Sequence, residues 1–401
     1  FIPITVGGGI NTVDNAALLL ASGADKIAVN TSIVNSPVLI SKLSHAFGSQ
    51  CIVASIQARK INKEKWEVMT ESGRERSGLD VMEWMDTIQA LGVGEILLTS
   101  VDKDGTCSSP DEDLIKAAEK KAHVPLIVGG GFSMANQVME HIEGRNISGV
   151  CIGAALHYNK LNIDSLKEEI SLKTPYIRVR SKNTLTTKKD FFSLKDKKIG
   201  IIDYGLGNQQ SLKNAFNKLG ASVSISENTS ILEKSDLLAL PGVGAFPEGM
   251  KKLIERGLDV FIKDASKDIP LIGICLGMQM LYEGSEEFGY TNGLGLLKGT
   301  VQKITSDKPI MLPHIGWNNI MSNNSSSHSD LPSESPAQYF VHSYVAKDID
   351  TETLLYKCIY QDISFVAGVM SNSIAGFQFH PERSGELGLQ LLGATTQKLL
   401  K

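Results

Sequence analysis

The chain has 401 residues, 42% hydrophobic and 21% charged, which fits a globular protein of two or three domains at about 150 residues each. Its formal net charge of −4 excludes the basic footprint of a nucleic-acid binder, and no apolar run approaches the roughly 18 residues of a membrane span. Five scattered cysteines, Cys51, Cys107, Cys151, Cys275 and Cys358, lack zinc-type spacing and predict free thiols, no metal site and a reducing, cytoplasmic setting. No secretory signal opens the chain, and Phe1 reads like mid-protein sequence.

In chain order, six short apolar runs come first: FIPITV, KIAVN, CIVASI, EILLTS, VPLIVGG and SGVCIGAAL. Helical periodicity lies between them, as at Thr12–Ala21 and Gly78–Leu91. Strand and helix in alternation predict a parallel α/β layer. PITVGGGI at Pro3–Ile10 repeats as PLIVGGGF at Pro125–Phe132, the duplicated-half pattern of a (β/α)8 barrel. About six strands precede the end of the pattern near Leu172, so the expectation is a partial barrel over 1–172 with its first two strands missing. Bare parallel edges are templates for pairing, so those strands belong to a longer chain or to a separate barrel-completing chain.

The basic, polar stretch 173–196 reads as a linker, and a second α/β pattern runs over 197–401. KKIGIIDYG is followed by a helix through Leu219, the runs SVSISE and LLALPG, a helix through Lys263 and then PLIGICLG. Strands are expected at QYFVHSY and AGFQFH, with a last helix to Lys401. The polar, low-complexity stretch Ser322–Pro336 reads as a surface loop.

GICLG has the form of a nucleophile elbow, with cysteine where hydrolases place serine. The glycines admit a tight corner, and a helix from Leu276 through Tyr282 would put its N-terminus at Cys275, favouring the thiolate. The N–H of Leu276 would face a developing oxyanion. A small buried core cysteine is the competing explanation. GFQFHPERS shifts the balance: His380 leaves an alternating strand just before Pro381, and Glu382 follows two residues on. A cysteine nucleophile needs a base, and the base needs an acceptor that orients it; Cys275, His380 and Glu382 supply all three.

GICLGMQ with FQFHPE resembles the class I glutamine amidotransferases, and IIDYGLGNQQSL, LPGVGAF, LPHIGWNNI and YFVHSY resemble the glutaminases of imidazole glycerol phosphate synthases in particular. The resemblance covers essentially all of 197–401 and implies a flavodoxin-like α/β fold with glutamine as substrate and no cofactor. It makes Cys275 the nucleophile, His380 the base and acid, and Glu382 the orienter. It places oxyanion donors at Leu276, Val243 and Gly244. Gly242, Gln279, His342, Ser343 and Tyr344 would hold the glutamine, and Asn208 and Trp317 would lie near the first domain.

TVGGGI, ADKIAVNTS, GEILLTSVDKDGT and the second glycine triplet resemble the cyclase barrel of the same synthases. That resemblance implies phosphate sites at Gly9, Asn30 and Thr31 and at Asp104, Gly105 and Gly130, where glycines let backbone N–H groups approach an anion. It also implies docking of the glutaminase on the N-terminal face of the barrel, with ammonia crossing to the other face. Asp25 precedes a strand and Arg383 follows the triad motif, so the two are expected to pair across the interface.

One position departs from the family. VASIQARK carries Gln57 where the cyclase pattern has an aspartate, and an amide exchanges no proton at neutral pH. Three expectations follow: a synthase whose acceptor is a phosphorylated ribonucleotide; a divergent pair that feeds ammonia to a separate amidotransferase acting on a sugar acceptor; or a barrel that only docks and activates the glutaminase.

Overall fold

In the computed structural model, residues 2–143, 145–172, 192–323 and 334–401 are described. The first half builds one sheet from strands β1 (Thr5–Gly7), β2 (Lys26–Val29), β3 (Ile52–Lys60), β4 (Trp66–Thr70), β5 (Glu75–Asp80), β6 (Glu95–Ser100), β7 (Leu126–Gly129) and β8 (Gly149–Cys151). The order β1-β2-β3-β6-β7-β8 is parallel throughout, a six-stranded part of a barrel with helices between the strands. β4 and β5 form an antiparallel hairpin on the far end of β3, where Gln57 faces Met69. That hairpin corrects the helix expected from Gly78. Gly78 has φ of +77°, β5 pairs to Asp80, and the helix starts at Val81 under an Asp80 cap whose carboxylate accepts from Met82 N at 2.8 Å and Glu83 N at 3.2 Å.

The second half adds β9 (Lys198–Ile202), β10 (Ser222–Ser226), β11 (Leu237–Leu240), β12 (Leu271–Ile274), β13 (Gly284–Ser285), β14 (Thr291–Asn292), β15 (Thr300–Lys303), β16 (His314–Ser322), β17 (Glu334–His342), β18 (Tyr344–Lys347), β19 (Leu354–Tyr360), β20 (Ile363–Ser371) and β21 (Ile374–Phe377). Nine of these form a mixed sheet, β10-β9-β11-β12-β21-β20-β19-β16-β17, parallel at the β10 end and antiparallel beyond β21. Four short strands, β14-β13-β15-β18, make a second sheet. Side chains alternate between faces, as strand geometry requires. Leu238 and Leu240 join a core continuous with the barrel's, and Leu237 and Ala239 join the core on the opposite face.

Four further details differ from the sequence reading. The helix expected through Lys263 is two helices, Phe246–Glu255 and Leu258–Ala265, because Gly257 turns left-handed between them. The helix after Cys275 ends at Met280 rather than Tyr282. QYFVHSY breaks at Ser343, where the chain leaves the large sheet for the small one. The ends of the low-complexity stretch are strand: Ser322 pairs with Tyr356 and Ser335 with Ile320, while residues 324–333 lie outside the described residues. Of the expected linker, 173–191 likewise lie outside them. Its last residues pack on the second half, with Leu194 buried and its N–H donating to Leu219 O at 2.7 Å.

Candidate active site

Two neighbouring parallel strands set the site. Cys275 directly follows β12 with φ 54° and ψ −110°, a left-handed conformation strained for a side-chain-bearing residue. The N–H of Cys275 donates to Phe377 O at 2.7 Å, pinning the corner to the end of β21. Gly277 permits the turn, since a Cβ there would run into the Leu240 carbonyl. Gly242 lets its loop lie on the start of the helix, because a Cβ would come within 2.6 Å of the Leu276 side chain.

His380 follows β21, and its backbone N–H is held by Tyr339 O at 2.9 Å. Ser384 locks the same turn, donating from its hydroxyl to His380 O at 2.6 Å and accepting from Tyr339 N at 2.9 Å. The ring's Nδ1 meets Glu382 Oε1 at 2.8 Å, and the two residues are only 4% and 3% exposed. A carboxylate beside Nδ1 makes that nitrogen the donor and leaves Nε2 as the bare, basic nitrogen. Nε2 makes no hydrogen bond of ordinary length and angle to the described residues and faces the Cys275 sulfur. Burial alone would depress the ring's pKa. The negative charge of Glu382, and then the charge and hydrogen bonding of Cys275, outweigh it and hold the pKa well above the ordinary histidine value.

Cys275, Leu276, Gln279, Glu287, His342, Ser343 and Tyr344 line a narrow cleft, closed on one side by Gly244 and by Gln50 of the barrel half. The Gln50 amide donates to Gly244 O at 3.1 Å, so the first half of the chain directly fixes a loop expected to carry oxyanion donors. Glu287 is 5% exposed, and burial lifts its carboxyl pKa to about 7 against the lowering effect of a hydrogen bond from Phe246 N. Gln279 has its amide nitrogen committed to Tyr344 O at 2.9 Å and Gln378 Oε1 at 3.0 Å. Behind His342 lies a second buried histidine, His314, at 3.1 Å between ring nitrogens. Burial drives the pKa of both down, His314 to about 4.

Sequence reasoning missed Gln50, Glu287 and Gln378. Glu287 sits among several acids in EGSEEFGY, and only burial distinguishes it. Gln50 precedes a strand in an unremarkable polar turn, and its cleft belongs to the other half of the chain.

The interface lies at the N-terminal ends of the barrel strands. Asp25 immediately precedes β2 and meets Arg383 at 2.8 Å. Asn208 donates to Asp25 at 3.3 Å and to Gly23 O at 3.2 Å, and Arg383 also donates to Ile2 O and Gly23 O, each at 3.1 Å. Desolvation raises the Asp25 pKa and Arg383 opposes it. Lys26 and Glu95 form a second buried ion pair in the barrel half, at 2.6 Å. Trp317 is 38% exposed and lies against Tyr339 at 4.8 Å between ring centres.

At the opposite strand ends, Gln57 accepts from Asn30 Nδ2 at 3.2 Å, and the same nitrogen donates to Met69 O at 3.1 Å. Thr31 accepts from Glu71 N at 3.1 Å, so the β4–β5 hairpin closes over this corner. Gly9 follows β1 with φ +67°. Gly130 packs where a Cβ would sit 2.7 Å from Ser100 O and 3.4 Å from Asp104 N, which brings it beside Asp104 and Gly105.

Comparison with known proteins gives two family matches: histidine biosynthesis protein over residues 1–162 and glutamine amidotransferase class-I over residues 200–393. Imidazole glycerol phosphate synthase subunit HisH of Lactococcus lactis is 43% identical over 204 residues, 51% of this chain and 100% of that protein. The chain belongs to the imidazole glycerol phosphate synthase family. It is a glutamine amidotransferase, an enzyme, and one polypeptide carries stretches that match two separate subunits of its relatives. Subunit HisF of Legionella pneumophila is 50% identical over 131 residues, 33% of this chain and 62% of that protein. Subunit HisF of Streptococcus mutans is 41% identical over 180 residues, 45% of this chain and 71% of that protein. Among the described residues no cluster could hold a metal ion, and no helix is long and apolar enough to cross a membrane.

Proposed function

We propose that this enzyme hydrolyses glutamine through Cys275, His380 and Glu382 and passes the ammonia into its barrel half. The observation that carries the proposal is the His380 Nδ1 contact with Glu382 at 2.8 Å, which turns Nε2 to the cysteine side, together with the strained Cys275 corner at the end of the neighbouring strand. His380 Nε2 takes the thiol proton, and the thiolate attacks the side-chain amide carbon of glutamine. N–H groups of Leu276 and the Val243–Gly244 loop receive the oxyanion. The imidazolium returns its proton to the departing nitrogen, leaving a thioester. Water, deprotonated by the same ring, cleaves it to glutamate. Glu287 is the group in the cleft suited to the substrate's α-ammonium, beside Gly242, Gln279 and the His342–Tyr344 strap. The units are 1–172 and 197–401, with 173–196 between them, working in the cytoplasm. Release of glutamate from glutamine by the wild-type chain, and its loss in Cys275→Ala, tests this half.

For the barrel, the family supplies cyclisation of a phosphorylated ribonucleotide in histidine biosynthesis as the first reading. Gly9, Asn30 and Thr31, and Asp104, Gly105 and Gly130, then bind the two phosphates. A specific observation favours a second: Gln57 is an amide hydrogen-bonded to Asn30, with no group that titrates near neutral pH. Under it the barrel conducts ammonia to another acceptor, such as a sugar held by a separate amidotransferase, or only docks and activates. Ammonia with the synthase's ribonucleotide substrate separates them, because turnover by the barrel would exclude the second.

A further inference from the structure

Gln378 is completely buried between the triad strand and the nucleophile, and the proposed mechanism does not use it. Its amide nitrogen lies 3.7 Å from Cys275 Sγ. Oxygen and nitrogen of an amide are told apart by their partners, and here the partners decide. The Tyr344 carbonyl can only accept, so the Gln279 atom 2.9 Å from it is the NH2 nitrogen. That same nitrogen lies 3.0 Å from Gln378, whose facing atom must then be the carbonyl oxygen. Gln378 is left with its NH2 group aimed at sulfur. Tyr344 O is itself held by a second donor, His342 Nδ1 at 3.0 Å; His342 is braced by His314 at 3.1 Å, and His314 in turn meets Asn318 Oδ1 at 2.9 Å. A backbone carbonyl thus fixes one amide, and that amide fixes the next.

From this geometry we infer that Gln378 is a donor to the Cys275 sulfur that favours the thiolate, and that Gln279 is the positioning residue that orients it. The inference rests on Cys275 being the nucleophile. An N–H pointing at sulfur lowers the energy of the anion more than that of the thiol, so it adds to what His380 supplies. Gln279 acts here through another residue as well as lining the cleft.

The test is the pH profile of Cys275 alkylation by iodoacetamide without glutamine, resolved by peptide mass spectrometry, with exposed Cys151 as the internal reference. Wild-type Cys275 is expected to be alkylated at pH 7 faster than Cys151. Gln378→Met, close in volume but with no donor, is expected to move the profile up and slow alkylation at pH 7 about five- to tenfold, the size of one ordinary hydrogen bond. Gln279→Met is expected to move it the same way, because the freed Gln378 amide can turn its oxygen to the sulfur. If Gln378→Met unfolds, Gln378→Asn, one methylene shorter, carries the same expectation. An unchanged Cys275 profile in a Gln378 variant that melts like wild type overturns the inference and leaves the nucleophile standing. A wild-type Cys275 that stays inert while Cys151 reacts overturns the nucleophile and the inference together.

Discussion

The chain holds two candidate sites built on one plan, at the carboxyl ends of parallel strands with glycines at the corners. At the β12–β21 edge, a strained cysteine, a buried histidine and its carboxylate stand together. At the far end of the barrel, glycines, Asn30 and Thr31 are in place, and the group at the end of β3 is an amide already bonded to Asn30. The contrast teaches that the geometry for holding a ligand and the groups that move protons are separable, because each depends on different atoms. Backbone turns and amides can recognise an anion, whereas acid–base chemistry needs a group that titrates.

The largest effect expected is at the cysteine. Cys275→Ala should lower glutaminase activity about 10,000-fold or more, read as glutamate release, because the covalent route is gone. Next, Glu382→Gln should cost roughly 1,000- to 10,000-fold, since His380 loses the charge that raises its pKa and an amide can turn its NH2 to Nδ1, which sets the wrong tautomer. Activity near wild type in either variant would break the comparison, because the glutaminase site would then be no more equipped than the barrel's.

The junction between the sites should respond to Asp25→Ala. Removing one partner strands the Arg383 charge in a buried place, a loss of about 3–5 kcal/mol in denaturant unfolding. An unfolding midpoint within error of wild type would mean the halves are held by other contacts.

The smallest effect is in pH dependence. Glu287 has a folded pKa of about 7 against an ordinary value of 4.5, so between those values the folded protein binds the extra proton. Stability should therefore fall as pH rises through that window, by up to about 3 kcal/mol. Glu287→Gln should flatten the curve, and unfolding at pH 5 and pH 8 measures it. An unchanged slope would remove Glu287 from the cleft's electrostatics.

Much was legible without coordinates. Short β-branched runs marked the six barrel strands and the parallel strands of the second half, because a strand buried on both faces must be apolar along its length. GICLG and FQFHPE pointed to Cys275, His380 and Glu382, because a corner at a strand end dictates residue types locally. The β4–β5 hairpin was not legible, since its turn is polar and Gly78 interrupts what otherwise looks helical. Neither was the break at Ser343 between two sheets.

The two α/β halves, a cysteine and a histidine at strand ends, and the amide at position 57 can all be read from the order of residues alone. It takes the folded chain to bring Gln50 to the Gly244 loop from 194 positions away, to make Glu287 the buried member of an acidic run, and to lead a chain of amides to the Cys275 sulfur. Local patterns encode periodicity and turns, which neighbours in sequence enforce. Desolvation and hydrogen-bond partners are set by residues far apart in the chain, and no spacing records them.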